Sequence, residues 1–335
     1  MKQKIVSFGE ILMRLTPPEY FKLGQTPDCN VFFGGSEANV AAALAIYGLR
    51  SVYVTKIPDN AFGQAAFNSL RTYGVDTSQI KWGGSRLGTY LLEKGAKPCS
   101  GKCTYDRTGS SMQQALPVDF NWNKILQDAD WFHFSGITPA LSPTMFRICL
   151  QACKAAKRKG IRISCDINYR SKLWPETEAA TAMQNLCQYA DILFINEQEA
   201  KILGIDASGE DLMELPVFNA MVETLRQKYP ASVIASAARI PAAGGELAIK
   251  AMLWNQQSCP SAVYPLKDID SVGAGDAFAA ALIYALLRKM DNQQAVNFAA
   301  AAGALKHSCR GDFNLSPIEE IQNMINTASG NGIQR

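Results

Sequence analysis

Short apolar, strand-like runs alternate with segments of helical period along most of this chain, and that alternation admits few folds. The runs fall at 4–10, 51–57, 130–135, 162–166, 192–196 and 233–236. Helical patterns lie between most of them, at 36–47 with Gly48 as a stop, 60–73 ending at Gly74, 143–159 and 177–189. Such alternation predicts an α/β fold with a mostly parallel sheet covered by helices on both faces. With 335 residues the chain can bury one large domain and still carry an elaboration.

Two segments break the alternation. Residues 12–33 and 88–115 are rich in Thr, Tyr, Gly and polar alternation, and neither carries a convincing helix. Read blandly they are two surface loops, but their combined length makes that uncomfortable. They are expected to pair into a small extra sheet covering a site like a lid. The division is then a core of 1–11, 34–87 and 116–328, a β-lid of 12–33 and 88–115, and a flexible tail at 329–335.

The chemistry points to one corner. Asp270-Ser271-Val272-Gly273-Ala274-Gly275-Asp276-Ala277-Phe278 lies between a strand-like run at 261–266 and a long alanine-rich helix. Gly273 and Gly275 allow a tight bend. The helix start leaves N–H groups unpaired and carries partial positive charge, which makes an anion site. Asp276 stands inside it. A carboxylate beside an anion hole can take a proton from an alcohol while the N–H groups hold a phosphate. Taken alone, the stretch reads equally well as a helix entry with Asp as its cap. Two further polar clusters weigh for chemistry, because ligands bind at the carboxyl ends of parallel strands. Asp166-Ile167-Asn168-Tyr169-Arg170 follows one such strand and Asn196-Glu197-Gln198-Glu199 another.

Composition removes several function classes. A net charge of +3 is too small to argue for nucleic acid or a membrane surface. The first fifteen residues are interrupted by Glu10 and Arg14 and read as a strand, not a signal peptide. The most apolar helix, 277–287, is too short to span a bilayer. Nine scattered cysteines without an export signal fit reduced thiols in a cytoplasm. Cys149 and Cys153 sit one helical turn apart in an apolar pattern, which favours packing over metal, and Cys99 with Cys103 is not taken as a zinc pair. There is no Gly-x-x-x-x-Gly-Lys-Ser/Thr loop and no Gly-x-Gly-x-x-Gly after the first strand, which sets aside P-loop enzymes and dinucleotide oxidoreductases.

Gly34-Gly35-Ser36-Glu37-Ala38-Asn39-Val40-Ala41, Asn196-Glu197-Gln198-Glu199 and the 273–278 corner, in that order, resemble the ribokinase-like (PfkB) carbohydrate kinases. Tyr105-Asp106-Arg107-Thr108-Gly109-Ser110 and the stretch from Asp166 to Trp174 are similar to the 2-keto-3-deoxygluconate kinases within that family. The resemblance implies ATP as donor, magnesium, and a ribokinase-like core with a β-lid. It makes Asp276 the general base and Gly273, Ala274 and Gly275 the anion hole. Asn196 and Glu199 would organise magnesium through water, with no direct protein ligand. Gly34 and Asn39 would meet the sugar, Tyr90, Tyr105 and Arg107 would reach it from the lid, and Arg170 and Asp312 from the core. Asn168 and Arg170 would also reach the nucleotide phosphates. Carbonyls around Asp270, Val272 and the loop 306–314 would suit a potassium ion. A lid built from a small sheet offers an exposed face that can pair with a second copy, so a homo-oligomer through the lid is expected.

One stretch departs from the family. Where many members carry Lys/Thr-x-Gly-x-x-Gly, this chain has Ala235-Ser236-Ala237-Ala238-Arg239-Ile240-Pro241, with Gly244-Gly245 later. That leaves the adenine and ribose contacts unassigned. The substrate argument rests on Arg107 and Arg170, since a guanidinium fork pairs a carboxylate with two parallel bonds. It favours a sugar acid, 2-keto-3-deoxygluconate converted to its 6-phosphate. A kinase of a neutral sugar such as fructose or ribose, and a catalytically silent sugar binder on the same fold, remain alternatives. Asp312, in Arg310-Gly311-Asp312-Phe313-Asn314, reads equally as a sugar acceptor or a turn residue. Glu10, Glu37 and Arg14 read as substrate contacts or as braces.

Overall fold

In the first strand, Lys4–Phe8, every residue is buried, and successive side chains serve opposite faces. Ile5 joins one apolar cluster, while Val6 and Phe8 join another. The same switch recurs at Trp131 against Phe132 and Phe134, and at Ile192 and Phe194 against Leu193. A sheet apolar on both faces needs two helical layers. Pro143–Arg158, Glu176–Leu186 and Leu215–Lys228 cover one face. Ser36–Ile46, Ala274–Leu287 and Asn292–Lys306 cover the other. Each large aliphatic or aromatic side chain so buried contributes about 1.5–3 kcal/mol.

This arrangement comes from a computed structural model that describes residues 2–95, 101–206, 211–242, 245–267 and 269–328. Cys99, Gly244 and the tail 329–335 lie outside the described residues. The large sheet runs Gln257–Pro260, Leu247–Asn255, Val233–Pro241, Ile192–Phe194, Arg162–Asp166, Trp131–Ser135, Lys4–Phe8, Arg50–Val54. From Val233–Pro241 to Arg50–Val54 every pairing is parallel. The fold is therefore α/β with a mostly parallel sheet between helices, as the alternation predicts. The far edge is antiparallel. The strand expected at 233–236 continues to Pro241 because it folds back on Leu247–Asn255, with Ile234 opposite Trp254 and Pro241 opposite Leu247. Of the run expected at 261–266, Tyr264–Pro265 is the part that forms a strand, antiparallel to Leu247–Asn255, and Ser261 N and Leu266 N donate to Ala251 O and Leu247 O of the same strand at 2.8 Å.

A separate small sheet is built from the two segments that break the alternation. Its order is Asn30–Gly34, Leu12–Thr16, Gly88–Glu93, Lys102–Asp106. The central pair is parallel, with Leu12 opposite Gly88, and the outer pairs are antiparallel. Cys149 and Cys153 are fully buried in the apolar layer. Among the described residues no helix is long and apolar enough to cross a membrane.

Candidate active site

The helix Ala274–Leu287 starts from Gly273, whose φ of 85° lies in the left-handed region. A Cβ at Gly273 would also collide with the Asp312 carbonyl oxygen, so two constraints demand glycine here. The first helical hydrogen bond is Ala277 N–H to Gly273 O at 2.9 Å. Of the N–H groups ahead of it, Ala274 N donates back to Ser271 O at 3.3 Å, and the first turn otherwise has no acceptor within the helix. Gly275 has nothing within 4 Å of where a Cβ would stand, so the corner opens onto space. That space is a cleft of about 410 Å³ at the carboxyl ends of the parallel strands, closed on one side by the small sheet.

Asp276 sits in the first turn of this helix, buried, with both carboxylate oxygens held by neutral donors. Ser36 Oγ donates to Oδ1 at 2.6 Å and Asn39 Nδ2 to Oδ2 at 2.7 Å. Asn39 Oδ1 accepts from Gly35 N at 3.3 Å, so both ends of its amide are engaged within the protein. Behind Ser36, Asn168 Nδ2 donates to Ser36 Oγ at 3.0 Å. Asn168 holds a left-handed φ of 41°, uncommon for a residue with a side chain. Its Oδ1 is buried and accepts no hydrogen bond from the described residues. Burial pushes the Asp276 carboxyl above its usual range, and the Ser36 and Asn39 bonds oppose this.

The wall beyond is acidic. Asp166 ends the strand Arg162–Asp166 and Glu199 lies in the first turn of Glu197–Ile202. Asn196 caps that helix reciprocally with Glu199: Glu199 N donates to Asn196 Oδ1 and Asn196 N to Glu199 Oε2, both at 3.0 Å. Tyr169 N donates to the other Glu199 oxygen at 3.1 Å. Burial raises the Asp166 carboxyl well above normal, with the Glu199 and Asp276 charges adding to it. Burial also raises Glu199. Arg170, exposed and donating to the Tyr169 carbonyl at 3.1 Å, lowers all three carboxyls.

The small sheet supplies the opposite wall. Tyr90 and Tyr105 face each other across two antiparallel strands with ring centroids 5.6 Å apart. Burial pushes the Tyr105 hydroxyl up to about 12, and Arg170 and Arg107 both pull it down, so both guanidinium charges act at this point. Tyr90 donates its hydroxyl to Asp312 Oδ2. Asp312 also pairs with Arg14 at 3.0 Å, and Arg14 reaches Asp270 at 2.7 Å. Gly34 lies so close to Asp312 that a Cβ would overlap its carboxylate. Arg107 is buried against Glu10, with Nε at 2.7 Å and Nη2 at 2.6 Å from Oε2. Ser110 donates to the other Glu10 oxygen.

The residues assigned to catalysis, sugar and nucleotide in the sequence gather around this cleft. Gly273, Ala274, Gly275, Asp276, Asn39, Asn168, Arg170, Asn196, Glu199, Tyr90, Tyr105, Arg107 and Asp312 line it, and Gly34 backs it beneath Asp312. Two geometries differ from the simple reading. Two of the three Arg107 nitrogens are turned to Glu10, so the two-pronged fork is not free to meet a ligand. Glu37, with Oε1 accepting from Ser135 N, Ser135 Oγ and Thr138 Oγ1 at 2.7–2.9 Å, is a buried brace under the helix Ser36–Ile46. Two participants, Ser36 and Asp166, stand inside the motifs quoted above without having been singled out. For each the signal was position at a strand end or helix start, not residue type. Glu10, read as a substrate contact or a brace, lines the cleft and pairs with Arg107. Ala235, Ser236 and Ala237, from the departing stretch, line the cleft near Phe194 and Ile195.

Comparison with known proteins gives consistent results. The family model described as pfkB family carbohydrate kinase matches residues 2–319. The chain is 29% identical to 2-dehydro-3-deoxygalactonokinase of Haloferax volcanii, covering 97% of each chain. It is 29% identical to 2-dehydro-3-deoxygluconokinase of Thermoproteus tenax, covering 93% of this chain and 91% of that one. Among solved structures, 2-dehydro-3-deoxygluconokinase from Thermotoga maritima superposes with a TM-score of 0.93 at 41% identity, over 97% of this chain and 99% of the other.

Proposed function

The chain belongs to the pfkB family of carbohydrate kinases, and on that premise we propose that it phosphorylates the terminal hydroxyl of a 2-keto-3-deoxy sugar acid. The first candidate is 2-keto-3-deoxygluconate, giving the 6-phosphate with ATP as donor. The observation that carries this reading is Asp276: a buried carboxylate, held by Ser36 and Asn39, in the first turn of a helix whose mouth opens at Gly275.

Asp276 takes the proton of the terminal hydroxyl as its oxygen bonds to the γ-phosphorus. The bond to the bridging oxygen breaks and ADP leaves. Its raised proton affinity suits a base that must hold that proton through the transfer. The N–H groups of the 273–275 corner would meet the equatorial oxygens, where charge spreads during transfer, Ala274 N exchanging its bond to Ser271 O for one of them. Burial raises both Asp166 and Glu199, and the Glu199 charge adds to the rise at Asp166, a strain that a cation beside them would relieve. Asn196, Glu199 and Asp166 would hold magnesium through its waters, a mode this hydrated ion favours. Magnesium, when bound, neutralises charge on the phosphates.

Arg107 and Arg170 support an acidic sugar over a neutral one. Arg170, exposed at the cleft, is the guanidinium placed to pair a carboxylate, while Arg107, with Nε and Nη2 held by Glu10, lines the same cleft beside the Tyr105 hydroxyl. The relatives named above act on 2-keto-3-deoxy acids of two configurations, and the choice between them rests on hydroxyl contacts. The test is ADP release with magnesium ATP, comparing 2-keto-3-deoxygluconate, 2-keto-3-deoxygalactonate, gluconate, fructose and ribose. Turnover of the keto acids alone supports the reading. Turnover of fructose or ribose instead would discard the carboxylate clamp and keep the kinase.

A further inference from the structure

The residues at the foot of the corner do not fit the added potassium ion that the sequence resemblance suggests. The carbonyls expected to receive it already have a cation from the chain itself. Lys306 is the last residue of Asn292–Lys306, in a helix whose other buried residues are almost all small or apolar. Its side chain has no exposed surface, which is very rare for lysine. The ammonium donates to Asp270 O at 3.2 Å and to Cys309 O at 3.1 Å. Burial lowers the Lys306 ammonium below its usual range, and the opposite charges of Asp270 and Asp312 hold it up while Arg14 opposes.

This point ties together the two loops that form the corner. Asp270 N donates to His307 O at 3.1 Å, and the Asp270 carboxylate accepts from Gly311 N at 3.1 Å and Val272 N at 3.3 Å. Three residues on, Gly273 packs on the Asp312 carbonyl. An ammonium resembles a potassium ion in charge and in its appetite for carbonyl oxygens, but it is tethered.

We propose that Lys306 is a built-in monovalent cation: its ammonium clamps the Asp270 and Cys309 carbonyls, positions the 270–275 corner, and makes turnover independent of added potassium. Lys306 is a positioning residue, since it touches the loops and not the substrate. The proposal rests on the reading of that corner as the phosphoryl-binding site.

The test uses the full chain and two variants, Lys306→Ala and Lys306→Met, in buffers whose only monovalent cation is tetramethylammonium. The parent should keep its rate within about twofold when potassium or ammonium is added, and its melting temperature should not move. Lys306→Ala should lose about a hundredfold in kcat, the scale of a displaced oxyanion-hole donor, with both KM values little changed. Potassium or ammonium should restore at least about tenfold of that loss and raise the variant's melting temperature, whereas tetramethylammonium should do neither. In Lys306→Met the apolar stem fills the space, so no rescue is expected. Several-fold activation of the parent by potassium would overturn the proposal. So would a folded Lys306→Ala that keeps full rate, or one that neither cation rescues or stabilises. If Lys306→Ala does not fold, the parent's response to potassium in rate and melting temperature decides alone. The melting shift is read without sugar, so a wrong substrate leaves this arm intact.

Discussion

Two buried carboxylates face the same cleft and are held in opposite ways. Asp276 is gripped by a hydroxyl and an amide, both uncharged. Asp312 is gripped by the Arg14 guanidinium and the Tyr90 hydroxyl. Burial pushes both carboxyls up, but only Asp312 has a full positive charge in contact opposing it. A carboxylate paired to a guanidinium is a poor proton acceptor, and one oriented by neutral donors keeps its basicity. The comparison separates a group that works from a group that holds. Arg14 sits on the small sheet and Asp312 on the core, so the second arrangement fastens two layers.

The comparison breaks first at Asp276. Asp276→Asn should lower kcat at least about a hundredfold while sugar binding persists, checked by steady-state rates and by ligand-induced melting shifts. Near-parent turnover would remove Asp276 from the chemistry. Asp312→Ala should act on stability instead. It leaves Arg14 buried with one partner fewer and should cost about 3–5 kcal/mol in denaturant unfolding. Ser36→Ala tests the neutral grip: about tenfold lower kcat is expected, with the apparent acid pKa of kcat/KM displaced upward as a stabilising bond to the charged form is lost. Arg107→Lys should raise the KM for the sugar acid about tenfold and leave the KM for ATP unchanged. The smallest effect is on Asp166. A carboxyl raised in the folded state makes a contribution that is full below its unfolded pKa and is lost as pH rises through the folded value. Asp166→Asn should therefore raise the melting temperature at neutral pH by a few degrees. The gain should shrink towards acid pH, and turnover should fall with it.

The layered fold was legible because the strands are apolar on both sides and the helices between them end on glycine or carry caps. Asn60, for example, caps Ala61–Thr72 through Phe62 N and Gly63 N. The corner was legible because glycine at positive φ and a helix start leave a local signature. The antiparallel edge was not, since Leu247–Asn255 earns its place only by pairing with Val233–Pro241. Nor were the partners of Arg107, because Glu10 lies 97 residues away along the chain. Charge pairing across such distances has no periodicity to read. Lys306 could have been noticed as a lone charge in an alanine-rich run, yet what it binds depends on two loops meeting.

The small sheet has a consequence for how the molecule assembles. Its central pair joins Leu12–Thr16 to Gly88–Glu93 in parallel, and the helices Ser36–Ile46 and Ala61–Thr72 with the strand Arg50–Val54 lie between them in the chain. Parallel strands so far apart in sequence cannot close a hairpin on their own, and the entropy of bringing them together must be met by structure already formed. The core is therefore expected to fold first and carry the two lid segments into register. On unfolding the expected order reverses: the wall bearing Tyr90 and Arg107 is released while the floor bearing Asp276 still stands, so under the proposed function sugar recognition would be lost before the phosphoryl-binding corner.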